Sequence, residues 1–92
     1  MEVKTAISKA KGWLLDTLED EAISNVGLEE IEFDDREHAW KITLGFSRPW
    51  NTVRNALTAL SGEPAIRRAY RVITIDDATG TIKSMRKRAD ED

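Results

Sequence analysis

The chain of 92 residues contains no cysteine, one histidine and two prolines. The lack of cysteine excludes disulfides, thiolate catalysis and cysteine zinc sites. His38 has no second imidazole and no serine or cysteine partner in its DDREH segment, so it is predicted to be a solvated turn residue. The phosphate-binding patterns GxGxxG and GxxxxGK[ST] are both absent. These absences predict a protein that is not an enzyme and that uses no cofactor or metal.

Long hydrophobic runs are also lacking. No segment approaches the roughly 20 apolar residues of a membrane span, and the start MEVKTAISKAKGW has no signal-peptide pattern. We therefore expect a cytoplasmic protein with no membrane partner. Hydrophobic residues make up 40% of the chain and charged residues 34%, which is typical of a globular domain. One domain is predicted over residues 1–88, followed by a frayed acidic tail at 89–92.

Basic residues are scarce in the first half of the chain, and acidic residues are scarce in the second half. Residues 1–40 carry 4 basic and 11 acidic residues, whereas residues 41–88 carry 10 basic and 3 acidic ones. The favoured interpretation is that the two halves lie side by side in the fold and neutralise each other. The alternative is a basic face for nucleic acid or for an acidic partner.

The first half of the chain predicts a helix followed by a β-hairpin. In EVKTAISKAKGWLLDTLEDEA, the apolar residues recur at helical spacing, and those on the main stripe are Ile7, Ala10, Leu14 and Leu18. Residues 40–46 alternate strictly between apolar and other residues, as in a half-buried strand. A loop at 35–38 would pair Phe33 with Trp40, Ile31 with Ile42 and Glu32 with Lys41.

The second half predicts a short helix and a second hairpin. Residues 47–64 fit one helical face, with Ser47 as N-cap, Pro49 in the first turn and Gly62 as the stop signal; an extended loop is the alternative. The apolar residues of that face are Trp50, Val53, Ala56, Leu57 and Leu60. Residues 65–75 and 82–88 are predicted strands, with Val72 opposite Met85.

The segment YRVITIDDATGTI, residues 70–82, contains two adjacent carboxylates that need an interpretation. A calcium loop of the EF-hand type would need further acidic ligands and a closing Glu, and neither follows Asp77. A tight turn is favoured, with Asp76 or Asp77 capping it and Gly80 supplying positive φ. The strand before it is apolar on both faces, so both faces are expected to be covered, one of them by a helix or a partner.

The candidate binding residues are Trp50 and a group of arginines. A tryptophan beside arginine is a common interface anchor, and Arg71 is predicted to lie opposite Arg86 across the hairpin, as a like-charge pair. The predicted binding residues are Trp50, Arg67, Arg68, Arg71, Arg86 and Arg88. Tyr70 is the one aromatic residue among the basic ones, fewer than nucleic-acid binding by a sheet face favours.

The pattern Tyr70-x-Val72-x-x-Ile75-Asp76-x-x-Thr79-Gly80-x-Ile82 resembles the closing hairpin of PepSY-type domains. The order of the helix and the first hairpin is compatible with that family. The resemblance implies a small non-catalytic regulatory module, in some members linked to peptidase inhibition, and it transfers no site residue.

The sequence as a whole predicts one α+β domain in the order α-β-β-α-β-β, with an N-terminal helix packed on an antiparallel sheet of about four strands. The function that we expect is a protein-interaction or regulatory module, inhibition included, that presents a sheet face or edge to a protein partner. A homodimer is one form of this hypothesis. Nucleic-acid binding through the C-terminal Arg/Lys cluster is the second hypothesis and is not favoured.

Overall fold

A computed structural model describes residues 1–53 and 65–88, and for 50–53 and 65–67 it describes the backbone alone. The fold is α+β. Helix α1 (Val3–Thr17) is followed by a short 3-10 turn (Glu19–Glu21), and four strands follow in chain order. They are β1 (Ser24–Asp34), β2 (Ala39–Val53), β3 (Ala65–Asp76) and β4 (Ile82–Lys87). All neighbours in the sheet are antiparallel, in the order β1-β2-β3-β4.

Packing on the sheet holds α1 in place. The helix has no side-chain cap at Glu2, no acidic residue in its first turn and no basic residue in its last turn, so neither capping nor the dipole stabilises it. Its buried residues are Ala6, Ala10, Leu14 and, just beyond its end, Leu18. Ile7, expected on this stripe, is half-buried. The helix ends at Thr17, before the end of the predicted helical segment at Ala22, and Ala22 takes a left-handed conformation.

The predicted register of the first hairpin is confirmed. Phe33 pairs with Trp40, Ile31 with Ile42 and Glu32 with Lys41. In the second hairpin Ile75 pairs with Ile82, as a loop at 77–80 predicts, but beyond this pair the prediction is wrong by one residue, because the ladder shifts between Thr74 and Ile75. Met85 therefore lies opposite Ile73 rather than Val72, and Arg71 lies opposite Lys87 rather than Arg86.

The predicted second helix is wrong over residues 47–53, which continue β2. Ser47, the expected N-cap, pairs with Ser24 on one side and with Arg68 on the other. Pro49 lies where the β2–β3 ladder shifts between Ser47 and Thr52, and a proline, which has no N–H to donate, is tolerated at such irregularities. The rest of that prediction, residues 54–64, lies outside the described residues, as does the predicted frayed tail at 89–92.

The hydrophobic core fills the space between α1 and one face of the sheet, which we call the helix face. Ile42, Leu44, Phe46, Ala69, Ile73 and Ile75 form it from β2 and β3, and all are buried. Trp13 and Trp40 pack against this core. The core alternates along the strands with the side chains of the opposite face, which we call the open face. In the described part of the chain, α1 is the one α-helix, and it packs on the helix face.

Candidate protein-interaction surface

The open face carries acidic side chains at one edge and basic side chains at the other. The pairing register defines two complete rows across the four strands. One row is Glu32, Lys41, Thr74 and Ser84, and the next is Glu30, Thr43, Val72 and Arg86. Thr43, Val72 and Thr74 lie on the two central strands together with Lys41, and the outer strands contribute Glu30 and Glu32 from β1 and Ser84 and Arg86 from β4.

Arg68 lies across the open face above a glycine. Its Nη2 donates to the carbonyl oxygen of Asn25 at 3.0 Å and lies 3.6 Å from the Glu29 carboxylate. A methyl group added to Gly45 would lie 2.9 Å from the Arg68 Nη2, 2.9 Å from the Glu29 Oε1 and 3.0 Å from the Tyr70 ring. Gly45 therefore gives these side chains room to cross the sheet, because a side chain at that position would displace them.

An arginine–tyrosine stack forms the basic border beside this bridge. The guanidinium carbon of Arg88 lies 3.8 Å from the centroid of the Tyr70 ring, within the range of a cation–π contact. Tyr70 is half-buried on β3, and its neighbour Val72 on the same face is half-buried as well. The stack holds a positive charge over an aromatic surface, a combination that is frequent at protein interfaces.

Lys41 is held by two carboxylates near the first turn. Its ammonium lies 3.2 Å from Asp34 and 3.9 Å from Glu37. The backbone N–H of Glu37, followed by Lys41, lowers the pKa of Asp34, and Asp34 in turn raises the pKa of Lys41. Lys41 is therefore charged at neutral pH. The Asp34 and Glu37 carboxylates already balance this charge, so Lys41 differs from an unpaired lysine that could bind an anion.

Arg71 belongs to the opposite face of the sheet. It is buried, its Nη1 donates to the carbonyl oxygen of Tyr70 at 2.7 Å, and its guanidinium lies 5.8 Å from the Phe46 ring. Arg48 approaches the same ring at 5.2 Å and pairs with Glu21 at 2.8 Å. Arg71 therefore packs on the helix face, whereas Arg68 lies on the open face.

The two carboxylates of the closing hairpin have separate structural contacts. Asp76 accepts hydrogen bonds from the backbone N–H and the hydroxyl of Thr79, both at 2.8 Å, and these lower its pKa. Asp77 accepts from the α-amino group of Met1 at 3.0 Å and from the indole of Trp40 at 2.9 Å, which lower its pKa in the same order. The interpretation as a turn capped by aspartate is confirmed, as is the positive φ of Gly80, at 73°.

The predicted binding residues therefore separate. Arg68, Arg86 and Arg88 lie on the open face. Trp50 and Arg67 are in strands β2 and β3, but their side chains lie outside the described set. Sequence reasoning missed Glu29 and Glu30 as members of the same surface. The signal for Glu29 was Gly45, since a glycine within a strictly alternating strand indicates a close approach by other groups.

His38 is exposed in the first turn, with a left-handed backbone at φ 50°. Within residues 1–53 and 65–88, no three His, Cys, Asp or Glu side chains are grouped so as to hold a metal ion. No helix in that portion of the chain has the length and apolar character needed to cross a membrane.

No family model, curated protein or solved structure matches this chain. The likeness of its closing hairpin to PepSY-type domains stays a prediction based on residues 70–82.

Proposed function

We propose that this protein is a non-catalytic interaction module that binds a protein partner through the open face of its sheet. The observation that carries this proposal is the arrangement of the rows on that face, each of which begins with a carboxylate on β1. Glu30, at the acidic end of the second row, is separated from Arg86 by Thr43 and Val72. Uncharged side chains between border charges of both signs fit the polar rim and uncharged centre of a protein interface.

The charge pattern favours a protein partner over a nucleic acid. Arg86 and Arg88 share the open face with Glu29, Glu30 and Glu32, and these carboxylates would repel a phosphate backbone. Arg71 does not add to the positive charge of the open face, because it packs on the helix face against Phe46. A protein surface with complementary charges of both signs would satisfy both borders, which a polyanion would not.

Tyr70 is the side chain that we expect to contribute most to binding. Aromatic residues near the centre of an interface often dominate its free energy, because they bury a large area without losing much rotamer freedom. Tyr70 lies on the central strand β3, is half-buried and stacks on Arg88. It combines an apolar ring with a neighbouring charge that can orient the partner.

A matched pair of charge reversals tests the proposal. Arg86 and Lys87 are consecutive, exposed and positive, but Arg86 pairs with Val72 on the open face and Lys87 pairs with Arg71 on the helix face. Arg86→Glu and Lys87→Glu change the net charge from −3 to −5 in the same way. Tagged versions of the full chain would be used to capture partners from the native lysate, with and without nuclease, and the captured proteins quantified.

We expect Arg86→Glu to lose a stoichiometric, nuclease-resistant partner at least tenfold, and Lys87→Glu to retain it. Equal capture of the partner by the two variants would show that the open face is not the binding surface. If capture disappears after nuclease treatment, the hypothesis of a protein partner would be replaced by that of a nucleic-acid partner.

A further inference from the structure

The open face has acidic side chains at one border and basic side chains at the other, so two copies of the face can match opposite charges. This property identifies the partner that binds there. The β1 border has the carboxylates of Glu30 and Glu32, beside Glu29, which already pairs with Arg68 of the same chain, and the β4 border has the guanidinium groups of Arg86 and Arg88. Resting on the proposed function of this face, we infer that its partner is a second copy of this chain, packed face to face about a two-fold axis.

The charges select the direction of the two-fold axis. An axis that runs along the strands, between β2 and β3, places β1 of one copy over β4 of the other. In that arrangement Glu30 faces Arg86 of the second copy at both ends of the row, while Thr43 faces Val72 at its centre. An axis across the strands would place β1 over β1 and β4 over β4, and like charges juxtaposed at an interface are unfavourable.

The strand edges offer a less favourable route to a homodimer. A symmetric contact through β1 would bring its glutamates together, and one through β4 would bring together Lys83, Arg86 and Lys87. A β1-to-β4 edge contact has matching charges but is head-to-tail, so it leads to open filaments or rings. Face-to-face packing is the closed arrangement that satisfies the charges of both borders.

The size of the face places the dimer among the small interfaces, which are usually weak or transient. Four strands about 4.8 Å apart and a run of about six residues at 3.4 Å each give a face of roughly 400 Å² in projection. Two such faces, with side-chain relief added, bury on the order of 1,000 Å², which is the lower bound for a specific interface. We therefore expect a reversible dimer with a micromolar dissociation constant, observable at high protein concentration.

Charge exchange between the borders tests the inference with the full chain. The acidic-border variant is Glu30→Arg with Glu32→Arg, and the basic-border variant is Arg86→Glu with Arg88→Glu. A third variant combines all four changes and keeps the net charge of −3. Sedimentation equilibrium from 5 to 500 µM gives the dissociation constant of each variant, and circular dichroism verifies that each is folded.

We expect the wild type to dimerise and each two-residue variant to dimerise at least tenfold more weakly. An equimolar mixture of the two, or the four-residue variant alone, should recover the affinity to within about threefold, because opposite charges face each other again. A wild type that stays monomeric up to 500 µM overturns the inference, as does unchanged dimerisation of both two-residue variants or a mixture without recovery. If the wild type is monomeric but Arg86→Glu still loses a captured partner, the dimer fails and the proposed function stands.

Discussion

The two faces of the sheet use the same strands for opposite purposes. On β2, Ile42, Leu44 and Phe46 point into the core and are fully buried, while Thr43 and Gly45 between them lie on the open face. The helix face is stabilised by burial of apolar surface. The open face is organised by small side chains and by charges that cross the sheet, and its central Thr43 and Thr74 are buried, at 5% and 7% exposure.

The largest expected effect comes from emptying the helix face. Phe46→Ala should lower the free energy of unfolding by about 3–5 kcal/mol, because Phe46 is fully buried and carries two arginine contacts. Val72→Ala on the open face should lower it by about 1 kcal/mol, since Val72 is only half-buried. Urea denaturation followed by circular dichroism measures both. Equal losses would contradict the distinction between a core face and an open face.

A smaller loss is expected when a side chain is placed on the open face at Gly45. Gly45→Val should destabilise the fold by about 1–2 kcal/mol, because its methyl groups would displace the bridge from Arg68 to Glu29 and press on Tyr70. Thermal unfolding measures the loss. The double variant Gly45→Val, Arg68→Ala should lose less than the sum of its single changes, since removal of Arg68 makes room. Simple additivity would show that the bridge is not what fills this space.

The other glycine substitution should act in the opposite direction. A methyl group on Gly12 of α1 would meet no other atom within 4 Å outside its own turn of helix. Gly12→Ala should therefore raise the free energy of unfolding by about 0.5–1 kcal/mol, because alanine loses less conformational entropy in a helix than glycine does. Thermal unfolding measures this gain as well. A melting temperature of Gly12→Ala below that of the wild type would contradict the exposed position of this residue.

The smallest effect is a dependence of stability on pH at the closing hairpin. The pKa of Asp76 is lowered by its hydrogen bonds from Thr79, so its ionised form stabilises the folded state. That contribution is present above the ordinary pKa near 4 and is lost as the pH falls through the lower folded value. Asp76→Asn should therefore be less stable than the wild type at pH 7, with a difference that narrows towards pH 3. Urea midpoints of both proteins across this range measure the effect, and a constant difference would contradict it.

The sequence was informative wherever one periodic pattern dominated. Strict alternation over residues 40–46 predicted β2 and its register with β1, and the turn residues Asp76 and Gly80 predicted the closing hairpin. The spacing of residues 47–60 satisfied a helical pattern, yet residues 47–53 extend β2 instead. Pairing of Ser47 with strands on both sides decides this segment, and such tertiary contacts are not encoded in local spacing.

The candidate surface was predictable only in part, for a related reason. The arginines were visible as a cluster in the sequence. The ladder shift beside Ile75, however, changed which residues of β4 lie on the open face. The acidic members come from β1, distant in the chain, and a second irregularity between Leu28 and Glu30 alters the alternation there. Strand irregularities of one residue exchange the two faces, so the sequence alone could not assemble this surface.

The most direct test of the open face as the binding surface is site-specific photo-crosslinking. A benzophenone amino acid would replace Ser84, which pairs with Thr74 on the open face, or Lys87, which lies on the helix face of the same strand. After irradiation of the full chain in its native lysate and at high concentration alone, we predict a discrete protein adduct from position 84 and none from position 87. Equal labelling from both positions, or an adduct from position 87 alone, would contradict the account.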